Sequence, residues 1–185
     1  MTQPLYMLED GVIGLRLLTA SDVTLDYLGW LNDPDVNRYL ETRFKSWSLE
    51  EIESFVKEKE ESPDEYLWGI FIVSRRRHVG NIKLGPINRN HRRADISLFV
   101  GDKDWWGKGI ATRAIRLVTA FGFGTANLNK LQAGAYAPNE GSIRAFCNVG
   151  FVREGLIVEA ALVDGRAVDT VLVGLSRRQW QEQGA

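Results

Sequence analysis

Residues 105–112 form a short segment whose glycines and polar side chains suit an anion-binding loop. Gly107 and Gly109 would let a ligand approach the backbone closely, because neither carries a side chain. A helical pattern of apolar residues follows directly, and the first amides of a helix have no partner inside it. These amides and the helix dipole would bind a pyrophosphate, with Lys108 adding a charge and Thr112 a hydroxyl donor.

Two common phosphate-binding motifs do not fit this segment. The nucleotide P-loop requires four residues between its first glycine and a Gly-Lys pair, and then Ser or Thr. Here five residues separate Gly101 from Gly107, and Gly109 follows Lys108. The dinucleotide fingerprint requires a third glycine where Thr112 stands. The motif alone is therefore compatible with another phosphate-bearing ligand or with an ordinary glycine-rich turn.

The N-terminal part of the chain has the pattern of one strand and two helices. An early strand around Leu15 precedes a helix, for which Ser21 and Asp22 offer caps. A second helix begins after Ser48, and Glu51 three residues later completes a capping box.

The rest of the chain alternates between strand and helix patterns. Helical spacing follows Gly107 and recurs over 142–149, and the tail holds a hairpin that turns at Asp164-Gly165. This order predicts a mixed α/β domain in which helices cover both faces of a mixed sheet. The length of 185 residues suits a single domain over 1–185. Apolar runs predict further strands over 67–73, 79–84, 94–100 and 130–136.

Charge and composition exclude several classes of function. The net charge is −1 at pH 7 and no basic stripe interleaved with aromatics occurs, so we expect no nucleic-acid partner. No apolar run reaches the roughly 18 residues of a membrane helix, and the N-terminus lacks a secretory pattern. Cys147 is the single cysteine, interpreted as a small buried hydrophobe, and His78 and His91 lack metal-site spacing. We therefore expect a cytoplasmic protein without a membrane partner or a metal ion.

Two motifs in this chain resemble those of the GNAT N-acetyltransferase family. Trp106–Ala111 matches the family's coenzyme A (CoA) signature, except that Trp106 replaces the first polar residue. Asn139–Arg144, followed by Gly150-Phe151, resembles the family's next motif. Residues 30–34 and the tail resemble the family too, so the likeness covers nearly the whole chain. It implies the GNAT acyl-CoA N-acyltransferase fold, a central mixed, mostly antiparallel sheet flanked by helices.

Within this family, the chain is most similar to ribosomal-protein N-terminal acetyltransferases, and spermidine acetyltransferases are close relatives. The runs His91–Asp95 and Gly109–Ala114 look like those of the spermidine enzymes. Those enzymes carry a tyrosine acid in the helix before Gly-Phe, whereas Phe146 occupies that position here. The tyrosine's role cannot be carried over, and the ribosomal-protein branch points instead to Ser142.

The resemblance implies transfer of an acetyl group from acetyl-CoA to a primary amine, by direct attack and without an acyl-enzyme. The acceptor would be a small amine, a polyamine or a protein N-terminus. Two alternatives stay open: an acetyltransferase of a nucleotide-linked amino sugar, and a non-catalytic CoA-binding regulatory domain. The protein would act as a monomer or a homodimer.

The resemblance also implies roles for individual residues. Ser142 would donate to the leaving sulfur, or else be a plain residue near a helix start. Asn139 would hold the pantetheine arm or order the amine. Asp95 is a candidate base, and the alternative is a surface carboxylate paired with Arg92 or Arg93. The residues implied to bind acetyl-CoA are Phe99, Val100, Gly107, Lys108, Gly109, Ile110, Ala111, Thr112, Asn139 and Ser142.

Overall fold

An eight-stranded sheet forms the centre of the computed structural model, which describes residues 6–184. In chain order, the strands are β1 (Leu8–Glu9), β2 (Ile13–Leu17), β3 (Tyr66–Ile72), β4 (Arg77–Leu84), β5 (Arg93–Val100), β6 (Lys130–Tyr136), β7 (Val152–Val163) and β8 (Arg166–Ser176). Across the sheet their order is β1-β2-β3-β4-β5-β6-β8-β7, and all neighbours are antiparallel except β5 and β6. The expected mixed, mostly antiparallel sheet is thus confirmed.

The described part of the chain contains six α-helices, and no helix in it is long and apolar enough to span a membrane. The last of these helices is the second shortest. It follows the C-terminal hairpin directly, and the apolar pattern of the sequence does not predict it. The helices are α1 (Leu25–Asn32), α2 (Pro34–Asn37), α3 (Leu49–Glu61), α4 (Ile110–Gly124), α5 (Glu140–Cys147) and α6 (Arg177–Glu182).

The start of α1 differs from the prediction. Ser21 and Asp22 lie in a 3-10 turn before the helix, and the N-cap is Thr24, whose hydroxyl accepts a hydrogen bond from the Tyr27 amide at 3.3 Å. Asp22 is engaged elsewhere, because its carboxylate binds the Arg16 guanidinium of β2 at 2.6 Å. The predicted cap was therefore wrong, since this ion pair holds Asp22 before the helix begins.

Helices pack on both faces of the sheet, as predicted. Adjacent residues of a strand point to opposite faces, and two neighbours on β3 illustrate this. Trp68 faces α4, where its ring lies 5.3 Å from that of Phe121. Leu67 instead packs in the cluster formed by buried side chains of α1 and α3. The sheet therefore separates two cores, a large one under α4 and a smaller one under the N-terminal helices.

β5 and β6 part after three residue pairs. Arg93, Ala94 and Asp95 pair with residues 130–132 in parallel, and no further pairing of these strands occurs within residues 6–184. Beyond this point β5 stays beside β4, whereas β6 stays beside β8. The backbone of residues 96–100 therefore has no strand partner on one side, and a gap opens between β5 and β6.

The predicted hairpin is formed by β7 and β8, which are joined at Asp164-Gly165. Val163 pairs with Arg166, and the two turn residues have φ values of 50° and 76°. Glycine adopts this left-handed region freely and aspartate tolerates it, so the Asp-Gly pair suits a two-residue turn.

Ser48 and Glu51 form the predicted capping box at the start of α3. The Ser48 hydroxyl accepts a hydrogen bond from the Glu51 amide at 3.3 Å, and the Glu51 carboxylate accepts one from the Ser48 amide at 2.9 Å. We expect Ser48→Ala to lower the free energy of unfolding by about 1 kcal/mol, because a helix amide loses its partner. Ser46→Ala, at an exposed position before the helix, is the matched control and should change it by less than about 0.5 kcal/mol. Urea unfolding measures both, and equal effects would contradict a stabilising cap.

Candidate active site

A cavity of about 700 Å³ opens in the gap where β5 and β6 part. Ile96–Phe99 of β5 form one wall, and Gly134–Tyr136 of β6 form another. The start of α5 contributes Asn139, Ser142 and Phe146 to the lining. The N-terminal helices, the segment after α2, and strands β3, β4, β7 and β8 complete it. Polar and aromatic groups from distant parts of the sequence thus meet in one space.

The glycine loop, residues 107–109, ends directly at the start of α4. Gly107 has a φ of 70° and Gly109 a φ of 76°, a left-handed conformation that side chains other than glycine rarely adopt. A Cβ built at either position would meet no atom within 4 Å. The backbone conformation therefore requires these glycines, and open space remains in front of the loop for a ligand.

Six consecutive backbone amides, from this loop and the first turn of α4, are available as donors. The hydrogen bonds among residues 6–184 include none donated by the amides of residues 107–112, and the first helical bond runs from the Arg113 amide to the Gly109 carbonyl at 3.1 Å. The 15-residue helix α4 adds its dipole at this end. The predicted residues Gly107, Lys108, Gly109, Ile110, Ala111 and Thr112 therefore lie together in an arrangement that fits a pyrophosphate.

Trp106 ties this loop to the end of β5. Its indole nitrogen donates a hydrogen bond to the Val100 carbonyl at 2.7 Å, although the residue is 44% exposed. The ammonium of Lys108 lies 5.0 Å from the ring centroid of the neighbouring Trp105. Of the two β5 residues predicted to bind the cofactor, Phe99 lines the cavity, whereas the Val100 carbonyl is occupied by Trp106.

Asn139 and Ser142 meet at the start of α5. Asn139 is the N-cap, and its side-chain oxygen accepts a hydrogen bond from the Ser142 amide at 3.3 Å. The Ser142 hydroxyl takes part in none of the side-chain hydrogen bonds found among residues 6–184, and the residue is only partly buried. Because both residues line the cavity, the Ser142 hydroxyl is free to donate to a ligand there.

Asp95 and Cys147 lie outside the residues that line the cavity. Asp95 is the last β5 residue paired with β6, opposite Gln132. Among the described residues it forms an ion pair with neither Arg92 nor Arg93, so its role as a base stays a prediction. Cys147 was expected to be buried and is instead exposed at the end of α5, because it points away from the packed face of that helix.

Tyr136 is a cavity residue that the motifs did not indicate. It ends β6, and its hydroxyl accepts a hydrogen bond from the Arg43 guanidinium at 3.2 Å. The same guanidinium lies 5.1 Å from the centroid of the Tyr136 ring. The sequence indicates Tyr136 only as an aromatic residue at a strand end, just before the Asn139 motif. Its contact with Arg43 spans 93 positions and is not visible in a local pattern.

Lys83 of β4 brings a positive charge to the cavity wall, where it binds the Glu65 carboxylate at 2.6 Å. Lys59 binds the other oxygen of the same carboxylate, also at 2.6 Å. Burial alone would raise the pKa of Glu65, but hydrogen bonds from the two ammonium groups outweigh it and lower that pKa. Lys59 also binds the Glu58 carboxylate at 2.8 Å, so the two lysines and two glutamates of this cluster balance in charge beside the cavity.

Comparisons with known proteins identify the family. The sequence profile of the acetyltransferase (GNAT) domain matches residues 13–152. This chain belongs to the GNAT acetyltransferase family. It is 31% identical over 177 residues to spermidine N(1)-acetyltransferase of Escherichia coli K12, and this alignment covers 91% of this chain and 88% of that protein. It is 26% identical over 165 residues to an uncharacterized N-acetyltransferase, p20, of Bacillus licheniformis, covering 88% and 90%.

The fold agrees with this assignment. The crystal structure of spermidine N-acetyltransferase from Vibrio cholerae in complex with CoA and spermine matches with a TM-score of 0.82 at 22% identity, over 93% of this chain and 99% of that chain. The resemblance based on the two motifs is thus confirmed at the level of family and fold. GNAT acetyltransferases use acetyl-CoA, and this member is an acetyl-CoA-dependent N-acetyltransferase.

The glycine loop gives a direct test of where CoA binds. We expect Gly109→Asp to weaken CoA binding at least tenfold more than Gly109→Ala, because two like charges a few ångströms apart repel by several kcal/mol at roughly ε 20. Both variants share the backbone strain of a φ of 76°, so alanine isolates the charge. Isothermal calorimetry with CoA measures the affinities, and thermal melting checks folding. Equal affinities in the two variants would contradict this site.

Proposed function

We propose that this enzyme acetylates a primary amine by direct attack, with the amine held in the cavity between β5 and β6. The parting of these strands carries the proposal. It leaves a backbone edge without a strand partner at residues 96–100, between the loop that follows β5 and the helix that follows β6. A thioester lying along this edge would have its phosphates at residues 107–112 and its sulfur near Ser142.

Acetyl transfer requires the protein to stabilise the carbonyl oxygen, to donate to the leaving sulfur and to remove a proton from the amine. The amine nitrogen attacks the thioester carbonyl carbon, the carbon–sulfur bond breaks, and the acetyl group stays on nitrogen. Unpaired amides of residues 96–100 would stabilise the charge on the carbonyl oxygen, and the Ser142 hydroxyl would donate to the departing sulfur. Glu41 lines the cavity, whereas Asp95 does not. The ammonium proton would therefore leave through Glu41 or water in the open cavity, before the nitrogen attacks.

Turnover with a small set of amines tests this function. Release of free CoA thiol from acetyl-CoA would be measured with spermidine, a tripeptide and a nucleotide-linked amino sugar. We expect thiol release that depends on an added amine and yields its N-acetyl product by mass spectrometry. CoA binding without thiol release from any of these amines would favour the non-catalytic alternative.

Ser142 provides a test of the proposed donor. We expect Ser142→Ala to lower kcat by roughly tenfold to a hundredfold, at the low end of general acid catalysis, with CoA affinity little changed. Cys147→Ala is the matched control on the same helix, since that residue is exposed and outside the cavity lining. Steady-state kinetics with one amine measure both. A fully active Ser142→Ala together with an inactive Cys147→Ala would contradict direct attack and favour an acyl-enzyme.

A further inference from the structure

Asn81 is a buried polar residue with an unused donor. It lies on β4, is 2% exposed and lines the cavity. Within residues 6–184, its side-chain nitrogen Nδ2 has no hydrogen-bond partner. Buried polar groups in folded proteins are nearly always hydrogen-bonded, so an unused donor at a cavity wall points to a ligand that completes it.

His78 fixes which way this amide points. The His78 Nε2 atom lies 3.0 Å from the Gly80 carbonyl oxygen and 2.7 Å from Asn81 Oδ1. A backbone carbonyl only accepts hydrogen bonds, so Nε2 must carry the proton. A protonated Nε2 requires an acceptor on Asn81 as well, which assigns Oδ1 to His78. The Asn81 Nδ2 group is therefore turned away from the histidine.

A β-bulge places these two side chains on the same face of β4. Ile70 pairs with Gly80 and Phe71 pairs with His78, so Val79 is the extra residue. In a regular strand, residues three positions apart face opposite sides, and one inserted residue reverses that relation. His78 and Asn81 can therefore meet.

Aromatic packing holds the histidine in this position. Its ring stacks on Phe71 at a centroid distance of 4.8 Å and meets the edge of Trp30 at 5.1 Å. Burial lowers the pKa of His78, although its hydrogen bonds to Gly80 and Asn81 act in the opposite direction. The Asn81 amide is thus a donor oriented before any ligand arrives.

Tyr27 offers a second donor beside the same amide. It lines the cavity, and burial raises its pKa to about 12, although the neighbouring Asn81 amide opposes the increase. The Tyr27 hydroxyl therefore keeps its proton at neutral pH. This part of the wall consequently presents two donors to a ligand.

The charges of the cavity do not suit a polyamine. Among residues 6–184, the charged side chains that line it are Glu41 and Lys83. Glu65 and Glu58 balance the charges of Lys83 and Lys59, so among the described residues Glu41 is the one carboxylate that this lining offers to a cation. A polyamine consists of cationic donors and has no oxygen to accept from Asn81. In an aminoacyl group, by contrast, the carbon that bears the amine is bonded directly to a carbonyl group, whose oxygen can accept a hydrogen bond.

We propose that Asn81, oriented by His78, donates a hydrogen bond to the carbonyl oxygen next to the acceptor amine. The site then selects aminoacyl acceptors, such as the N-terminus of a peptide, over polyamines. The proposal rests on acetyl transfer to an amine in this cavity. It distinguishes the acceptor of this chain from those named for its spermidine acetyltransferase relatives.

The test compares kcat/KM for the tripeptide Ala-Ala-Ala and for spermidine. We expect the wild type to prefer the tripeptide by at least tenfold. Asn81→Leu keeps the approximate side-chain size and removes the donor, so it should lower kcat/KM for the tripeptide roughly tenfold and leave that for spermidine unchanged. Thr119→Val is the control, because it removes a different buried polar group without a partner, a hydroxyl on α4 and outside the cavity lining. It should leave the ratio unchanged.

A second measurement needs no variant. A tripeptide whose first carbonyl is reduced to a methylene group should be acetylated roughly tenfold less efficiently by the wild type than Ala-Ala-Ala. Preference for spermidine, equal use of the two tripeptides, or an unchanged substrate ratio in a folded Asn81→Leu would overturn the role of Asn81 and leave acetyl transfer intact. Failure of the wild type to acetylate any amine would instead overturn the proposed function itself.

Discussion

The site depends on one limit to strand pairing, namely that β5 and β6 share three residue pairs and then separate. Their outer edges stay paired throughout this region, β5 with β4 and β6 with β8. The unpaired backbone groups are therefore confined to the facing edges of these two strands. Such groups are costly when buried, so this edge suits a ligand that can accept and donate hydrogen bonds.

The groups proposed to bind the phosphates and to donate to the sulfur lie at the two ends of this gap. β5 leads into the loop of Gly107 and Gly109, where left-handed backbone exposes a run of free amides. β6 leads into Asn139, whose side chain caps α5 and places Ser142 at the cavity. β4 adds Asn81 and Lys83 from the opposite side of β5. One splayed pair of strands thus connects anion binding, acyl transfer and selection of the acceptor.

The features predicted correctly from the sequence are those with local causes. The Ser48-Glu51 box, the Asp164-Gly165 turn and the glycine loop each depend on residues a few positions apart. Thr24 was missed as a cap because Asp22 is held by Arg16, a contact that a linear pattern does not contain. The pairing of His78 with Asn81 depends on a bulge, and Tyr136 depends on Arg43, 93 positions away. Such contacts exist only once the sheet has formed.

Amide hydrogen exchange of the wild type, with and without CoA, shows whether the gap between β5 and β6 holds the acyl donor. Residues 107–112 donate no hydrogen bonds within the described chain, and residues 96–100 lack a strand partner on one edge. We expect CoA to slow exchange in both segments together, while the β7–β8 turn at 164–165 keeps its rate. Saturating CoA that protects other segments and leaves these two unchanged would contradict the proposal that the gap between β5 and β6 holds the acyl donor.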